Sequence, residues 1–218
     1  MSLQKIPTTI YRIKVTLKDT EPVIWRRFLV PSHITLHRLH LILQEVMGWT
    51  NSHLYRFEID KKEYGVLYPD NDDFDELDFI DSKKVKLNHL VITKGNTFVY
   101  EYDFGDGWAH ELVVEDISEP IVGKIYPVCL EGGRTCPPED CGGPHGYSTL
   151  LGIIANPDNE EYEEMITWLG DELGIFLVGA SQRPVLVAQG NSRTKRLRVV
   201  FENVTNQVLE INSVGYNW

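Results

Sequence analysis

The sequence predicts an α+β fold, in which an antiparallel sheet of hairpins packs against three or more helices. Segments with alternating apolar and polar residues occur in pairs joined by turns, as in antiparallel hairpins. Other segments carry apolar residues at spacings of three and four, which is typical of amphipathic helices. Because hairpins and helices do not alternate regularly along the chain, a parallel sheet wound with helices is not expected.

The composition is that of a globular protein with an acidic surface. The 218 residues carry 21 basic and 32 acidic side chains, a formal net charge of −11, and 42% of them are hydrophobic. A chain of this size buries about 70% of its unfolded surface, so it needs no disulfide or metal to fold. The charge does not favour nucleic acid as a partner, because phosphate binding depends on Lys and Arg. We expect a small ligand or a protein partner instead.

Cysteine usage and the N-terminal residues predict a cytoplasmic protein. The chain has 3 cysteines, an odd number, so at least one lies outside any intramolecular disulfide. Residues 1–7 lack the basic and then apolar order of a signal peptide. No apolar stretch approaches the roughly 20 residues that span a bilayer, so no membrane association is expected.

The first third of the chain predicts a hairpin, a helix and a third strand. Tyr11–Lys18 alternates apolar and polar residues, and Val23–Val30 forms a second apolar run after a turn. The second strand contains Trp-Arg-Arg, which can stack on bases but is explained better as strand residues in solvent. Thr35 is a suitable N-cap for an amphipathic helix that ends at Gly48, and Leu54–Ile59 follows as a strand.

A second hairpin is predicted from Thr97–Phe104 and Trp108–Glu115. Asp106-Gly107 between two such strands is typical of a two-residue type I′ turn, which requires a positive φ at both positions. This turn fixes the register and places Asp103 opposite His110. The pair would lie beside Trp108, and the opposite face would carry Phe98, Tyr100, Tyr102 and Phe104.

The predicted pair of a carboxylate and an imidazole is the local combination of side chains that could bind a ligand or take part in catalysis. Asp103 would orient the His110 ring and favour its charged form. A packing role, ligand binding and catalysis all remain open for this pair, and Asp103 and His110 are the candidates for catalytic residues. Glu139 or Asp140 could fold over the hairpin to complete an acid–base site.

Residues 126–147 are rich in Gly, Pro and Cys, and we expect a long irregular loop without a helix. Three thiols and an imidazole in this loop raise the possibility of a zinc site. The spacing differs from that of zinc fingers and ribbons, so cysteines without a metal are the alternative. The candidate zinc ligands are Cys129, Cys136, Cys141 and His145.

The other segments predict a loop, two more helices and C-terminal strands. The acidic stretch Tyr68–Asp81 departs from the calcium-loop template and is interpreted as a solvated loop. A short helical turn is predicted after it. Apolar stripes predict helices that begin near Tyr147 and Tyr162. The predicted C-terminal strands are Val185–Ala188, Leu197–Val204 and Gln207–Ile211.

Four motifs together resemble the plasmid pRiA4b open-reading-frame-3-like family. The motifs are Trp25-Arg26-Arg27 with Val30-Pro31; Leu39-His40 with Gln44, Gly48-Trp49 and His53-Leu54; Tyr100 to Trp108 with His110; and Cys136 to Gly143 with Gly146-Tyr147. The resemblance covers roughly residues 10–173. This sequence departs from the family at His145, where the family more often has an aromatic residue. It also departs from Gly174 onward, where the family suggests an acidic helical ending.

The resemblance implies a prokaryotic protein of plasmid or mobile-element association. It also implies one shared polar site, because the family motifs contain the candidate residues. With the hairpin residues, the candidate ligand-binding set is His40, Gln44, His53, Asp103, Asp106, Trp108, His110, Glu139 and Asp140.

From the sequence, the function we expect is that of a binding or accessory module with a polar Asp/His site. The alternative is a metal-assisted hydrolase that acts on nucleic acid or a nucleotide with the same residues. Residues 1–174 are predicted to form the family-like domain. Residues 175–218 form a β-rich extension, either separate from that domain or part of it.

Overall fold

The computed structural model describes residues 9–66, 79–90, 93–170, 185–190, 197–202 and 208–210. The strands are β1 (Ile10–Leu17), β2 (Trp25–Pro31), β3 (Tyr55–Ile59), β4 (Lys62–Gly65), β5 (Ile80–Asp81), β6 (Thr97–Tyr102), β7 (Trp108–Ser118), β8 (Val128–Gly133), β9 (Val185–Gly190), β10 (Leu197–Glu202) and β11 (Val208–Glu210). The helices are α1 (Leu36–Met47), α2 (Gly143–Ile154), α3 (Tyr162–Leu169) and the short 3₁₀ helix Leu87–Leu90.

The strands form two sheets, and the larger one determines the architecture. It has eight strands in the order β5-β4-β3-β6-β7-β1-β2-β8. Its pairs are antiparallel except for β4 with β5, which run parallel. The last three strands form a second antiparallel sheet in the order β11-β10-β9. The predicted α+β class is therefore confirmed. Strands β9, β10 and β11 lie at the three predicted C-terminal positions, although Val204, Gln207 and Ile211 of the predicted ranges lie outside the described residues.

The N-terminal hairpin follows the alternation of its residues. Ile13, Val15 and Leu17 of β1 are buried, and β1 lies between β2 and β7 in the sheet. On β2, Phe28 and Val30 are buried on the same side of the alternation. This hairpin is as predicted, because one apolar face and one polar face leave a single favourable register.

The predicted boundaries of α1 are also confirmed. The side-chain oxygen of Thr35 accepts a hydrogen bond from Arg38 N at 3.1 Å, which satisfies one free N–H of the first turn. Gly48 ends the helix in the left-handed region, with φ of +87°, a conformation that glycine adopts without strain. Leu39, Leu43 and Val46 of α1 belong to the same buried apolar cluster as the residues of the sheet.

Arg26 is a buried cation, because its side chain points into this core. Its Nε donates to the Val46 carbonyl (2.9 Å), its Nη1 to the Gly133 carbonyl (3.1 Å) and its Nη2 to Cys136 Sγ (3.2 Å). The carbonyl of Val46 lies in the last turn of α1, where the helix dipole favours a positive charge. Arg26 therefore joins β2, β8 and the end of α1.

The neighbouring Arg27 lies on the other face and is held by two carboxylates. It makes a paired contact with Glu115 (Nη2–Oε1 2.8 Å) and a second ion pair with Glu131. Because one arginine is buried and the other neutralised, the Trp25-Arg26-Arg27 motif has a structural role in the sheet. This role agrees with the interpretation of the motif from the sequence as strand residues that do not stack on bases.

The predicted register of the second hairpin is wrong. Tyr102 pairs with Trp108 and Tyr100 with His110, so the turn covers residues 103–107 and is longer than the predicted two residues. Positive φ occurs at Asp103 and Gly107, whereas a type I′ turn would need it at Asp106. As a result His110 and Trp108 lie on the buried face with the two tyrosines, and Asp103 is in the turn.

Other elements differ from the prediction more locally. Strand β8 and the start of α2 at Gly143 lie in the stretch predicted to be irregular. The short strands β4 and β5 were not predicted, because they are only 4 and 2 residues long. Most of the acidic stretch Tyr68–Asp81 lies outside the described residues. No helix in the described part of the chain combines the length and the hydrophobicity needed to cross a bilayer.

Replacing Arg26 with alanine should destabilise the fold. The substitution leaves the carbonyls of Val46 and Gly133 without their donor and opens a cavity, and we expect a loss of about 2–4 kcal/mol in the free energy of unfolding. Urea denaturation measures it. The matched control is Arg12→Ala, because the Arg12 side chain is 41% exposed and its ion pairs should contribute at most about 1 kcal/mol. Equal losses in the two variants would contradict the assigned role.

Candidate functional site

Three loops meet at one end of the large sheet and bring polar side chains together. They are the α1–β3 connection, the β6–β7 turn and the segment between β8 and α2. Nε2 of His53 lies 3.2 Å from Oδ1 of Asp140 and 3.6 Å from Oδ2 of Asp103. The three ligand atoms all lie within 4.8 Å of one another. We call His53, Asp103 and Asp140 the three-loop cluster.

Asp103 is held in the cluster by its own turn. Its backbone adopts the left-handed region with φ of +57°, which aspartate tolerates better than most residues. Its Oδ1 accepts hydrogen bonds from Gly105 N (3.0 Å) and Asp106 N (3.3 Å). This arrangement fixes the side chain and leaves Oδ2 directed to His53, while the residue as a whole is only 7% exposed.

The imidazole of His53 lacks a hydrogen bond at the atom that faces the carboxylates. Its Nε2 is buried and makes no hydrogen bond of acceptable geometry, although two carboxylate oxygens are near. The ring is therefore not held by a hydrogen bond to either carboxylate. A cation bound among the three atoms would give Nε2 a partner and would neutralise the two carboxylates.

Glu139 precedes Asp140 and is anchored to the loop that carries His53. One of its oxygens accepts hydrogen bonds from the Thr50 N–H (3.0 Å) and the Thr50 hydroxyl. The other accepts from the hydroxyl of Tyr102. The Tyr102 oxygen in turn accepts from Ser52 N (2.9 Å) and His53 N (3.3 Å). Burial and the Glu139 carboxylate raise the pKa of Tyr102, so it stays a donor.

A second polar network supports the α1–β3 connection from inside. The Tyr100 hydroxyl accepts a hydrogen bond from Nε2 of Gln44 at 3.0 Å and donates its own proton to Nδ1 of His40 at 2.8 Å. Nε2 of His40 lies 2.6 Å from Oδ1 of Asn51, and the Asn51 N–H donates to Oε1 of Gln44 at 2.9 Å. These bonds assign the proton of His40 to Nε2. His40 and Gln44 therefore orient the loop from behind and do not join the cluster.

His110 does not pair with Asp103, in contrast to the prediction. Its Nδ1 faces the carbonyl oxygens of Trp108 (3.0 Å) and Tyr100 (3.3 Å), and the ring is fully buried. Burial lowers the pKa of His110 to about 4, whereas a carboxylate partner would have raised it. The wrong register explains the error, because it put His110 and Asp103 on one face.

The remaining predicted residues lie around the cluster or below it. Oδ2 of Asp106 accepts a hydrogen bond from Gly142 N at 3.2 Å and so fastens the turn to the start of α2. Trp108 is fully buried beneath Trp49, with ring centroids 6.0 Å apart. Of the candidate ligand-binding set, the structure brings together His53, Asp103 and Asp140, with Glu139 and Asp106 next to them.

The cysteines take no part in the three-loop cluster. Cys136 is buried against Arg26, and its Sγ lies 3.6 Å from Sδ of Met47. Burial raises the pKa of Cys129 to about 11 and that of Cys141 to about 12, so these thiols are protonated at neutral pH. His145 is exposed on α2. Among the described residues, the group with metal-ligand spacing contains none of these four side chains.

Tyr102 and Thr50 are residues of the site that the sequence did not indicate. Tyr102 belongs to the alternating apolar face of β6, and that pattern concealed the hydrogen-bonding role of its hydroxyl. Thr50 is an exposed polar residue in a short loop, which by itself carries no signal. A buried tyrosine needs a hydrogen-bond partner for its hydroxyl, and this requirement could have indicated that Tyr102 contacts a polar group.

The fold and the site define a class of protein: an α+β domain whose mainly antiparallel sheet carries an acidic, histidine-containing site where three loops meet. The chain belongs to the plasmid pRiA4b ORF-3-like protein family, whose sequence pattern matches residues 9–180. It is 44% identical over 163 residues to an uncharacterized protein, y4hQ, of Sinorhizobium fredii strain NGR234, covering 74% of this chain and 81% of that protein.

A solved structure has the same architecture. It is the crystal structure of MM3350, a protein of unknown function from Methanosarcina mazei Go1. The two superpose with a TM-score of 0.68 at 35% sequence identity, covering 77% of this chain and 93% of that one. The relatives therefore support the fold and the family, and the function has to be argued from the site.

Stability should fall as the pH drops below about 6.5. Burial lowers the pKa of His40 to about 3 and that of His110 to about 4, from an ordinary value of 6.5. The unfolded histidines take up protons in this range while the folded ones stay neutral, which costs about 1.4 kcal/mol per pH unit for each. Urea denaturation between pH 7 and pH 5 measures the slope.

The variant His110→Gln removes one of these groups and should reduce that slope. The control is His145→Gln, which removes an exposed histidine and should leave the slope unchanged. A slope that is the same in wild type and His110→Gln would show that the buried imidazole does not control acid stability.

Proposed function

We propose that the protein is a binding module that holds a divalent cation in the three-loop cluster. One observation carries the proposal: the His53 nitrogen lies 3.2 Å and 3.6 Å from the two carboxylate oxygens. Tetrahedral coordination with bonds of about 2.1 Å separates ligand atoms by roughly 3.4 Å. The two His53 separations are close to this value, and all three ligand atoms lie within 4.8 Å of one another, which is close enough for one ion to contact all three.

The types of ligand indicate which cations fit. Calcium and magnesium prefer sites made entirely of oxygen atoms, whereas imidazole suits zinc and other transition metals. One imidazole with two carboxylates therefore favours Zn²⁺, Mn²⁺ or Co²⁺. The zinc considered from the sequence would bind to His53, Asp103 and Asp140 and not to the cysteines.

The charge around the cluster favours a partner without phosphate groups. Asp103 and Asp140 balance the two charges of a bound cation, and the carboxylates of Asp106 and Glu139 lie next to them. With a net charge of −11, the chain repels a polyanion. A small ligand or a protein partner remains the expected second component, in a cytoplasmic accessory role. The plasmid in the family's name supports the mobile-element origin of that role.

The proposal assigns the site to residues 1–174, with 175–218 as an extension. All three ligands fall within residues 9–180, the span that matches the family, which supports placing the site in the family-like domain. The predicted packing of helices against the sheet is also part of the proposal. It is supported by contacts of α1 with the strands, namely Val46 with Arg26 and His40 with Tyr100.

A metal-assisted hydrolase is the second candidate, and one feature favours it. Three protein ligands leave at least one coordination position open, as in catalytic zinc sites where water occupies that position. The Asp140 side chain is 73% exposed, so the open position would face solvent. The charge around the cluster makes a nucleic-acid substrate less favourable than a neutral one.

Loss of one ligand should abolish tight metal binding without unfolding the protein. Asp103→Asn keeps a side chain that tolerates the left-handed backbone and accepts the turn hydrogen bonds, but removes the charge. We expect titration calorimetry to show a loss of Zn²⁺ affinity of at least about 100-fold. Residues that only orient ligands cost up to about 100-fold when they are replaced, and a ligand itself should cost no less. Asp140→Asn and His53→Gln should behave alike.

The control for this experiment is Asp158→Asn, an exposed aspartate outside the cluster that should bind Zn²⁺ as wild type does. Wild-type protein that is freed of metal by a chelator and then fails to take up Zn²⁺, Mn²⁺ or Co²⁺ would refute the proposed function. Equal affinity in Asp103→Asn and Asp158→Asn would place the ion elsewhere.

The hydrolase is tested with bis(p-nitrophenyl) phosphate and a neutral p-nitrophenyl ester in the presence of Mn²⁺ or Zn²⁺. If the second candidate holds, p-nitrophenol release depends on the metal and is abolished in Asp103→Asn. If metal-loaded protein hydrolyses neither compound, the hydrolase is rejected and the binding module stands.

A further inference from the structure

The two loops that carry His53 and Asp140 are far apart in sequence and are joined at one point. Glu139, directly before Asp140, reaches the loop of His53 through the Thr50 backbone N–H at 3.0 Å and the Thr50 hydroxyl. It also accepts the hydroxyl proton of Tyr102. Both of its carboxylate oxygens therefore have partners within the protein.

Tyr102 connects the same two loops to the sheet. It is the last residue of β6, it is fully buried, and its ring stacks on Trp49 with centroids 5.1 Å apart. Its oxygen accepts from the backbone N–H groups of Ser52 (2.9 Å) and His53 (3.3 Å). The Tyr102 hydroxyl therefore contacts the backbone of His53, and it also contacts the side chain of Glu139, which directly precedes Asp140.

We infer that Glu139 and Tyr102 are positioning residues that hold His53 and Asp140 at the spacing of metal ligands. This inference rests on the proposed function. Glu139 is not among the three side chains with metal-ligand spacing, and both of its oxygens accept hydrogen bonds from the protein. It acts through the chain, since anchoring Glu139 restricts the backbone of Asp140, whose side chain is otherwise 73% exposed.

The physical reason is the entropy of ordering a loop before it binds. Fixing the backbone of one residue costs about 1–2 kcal/mol, and an unanchored Asp140 would lose that freedom when it binds the ion. The bonds to Thr50 and Tyr102 order the loop in advance, so affinity is greater. Charge-assisted hydrogen bonds to a carboxylate are the stronger kind, which suits this task.

Removing the tether should weaken metal binding while the three ligands remain. For Glu139→Ala and Tyr102→Phe we expect Co²⁺ affinity to fall about 10- to 100-fold, as for other residues that orient ligands. Glu139→Gln keeps a hydrogen-bond acceptor for Thr50 and should lose less than Glu139→Ala. Titration of the metal-free full-length protein with Co²⁺ measures the affinity, and the visible absorption of bound Co²⁺ reports its coordination.

The control variant is Glu131→Ala, which removes a carboxylate that pairs with Arg27 away from the cluster. It should bind Co²⁺ with wild-type affinity. Circular dichroism and urea denaturation establish that each variant is folded. Glu139→Gln and Tyr102→Phe preserve the test if Glu139→Ala does not fold, because both keep most of the side-chain volume.

The outcomes separate this inference from the proposed function. If wild type binds Co²⁺ and the tether variants bind it equally well, positioning by Glu139 and Tyr102 is wrong and the metal site stands. A merely structural tether predicts this result, with lower stability and unchanged affinity. If wild type binds none of Co²⁺, Zn²⁺ and Mn²⁺, the proposed function and the inference both fail.

Discussion

The structure depends on the need of buried hydroxyl groups for hydrogen-bond partners. Tyr100 and Tyr102 alternate along β6 with their rings in the core, and their hydroxyls must be satisfied there. The Tyr100 hydroxyl is satisfied by His40 and Gln44 of α1. The Tyr102 hydroxyl is satisfied by the α1–β3 loop and Glu139. Two phenol groups on one strand thus fix a helix and two loops relative to the sheet.

The histidines of this arrangement differ in their surroundings. His40 and His110 are buried, and their lowered pKa values keep them neutral at physiological pH. His40 stabilises the α1–β3 loop and His110 stabilises the core, and both do so as neutral imidazoles. His53, Asp103 and Asp140 lie instead where three loops meet, and of these side chains that of Asp140 is 73% exposed. The two buried histidines therefore support the fold, whereas His53 is the histidine of the proposed site.

Much of the fold could be predicted because the relevant signals are local. The alternation of β1, the Thr35 cap and the Gly48 end of α1 each depend on a few neighbouring residues. The site was predicted only in part. His53, Asp103 and Asp140 were among the candidates, but Asp103 was paired with His110, because Asp106-Gly107 favours a two-residue turn. The longer turn forms because Asp103 adopts the left-handed conformation and its carbonyl accepts from Gly107 N (2.6 Å).

The sequence by itself determined the class of fold, the family and the types of residue available for a site. Periodicity and capping act over a few residues, so they can be recognised without a structure. Only the tertiary structure decided which candidates meet. His53, Asp103 and Asp140 come from three loops, and their distances depend on the hairpin register and on the tether from Glu139 to Tyr102. Such distances arise from packing between distant segments, which no local pattern encodes.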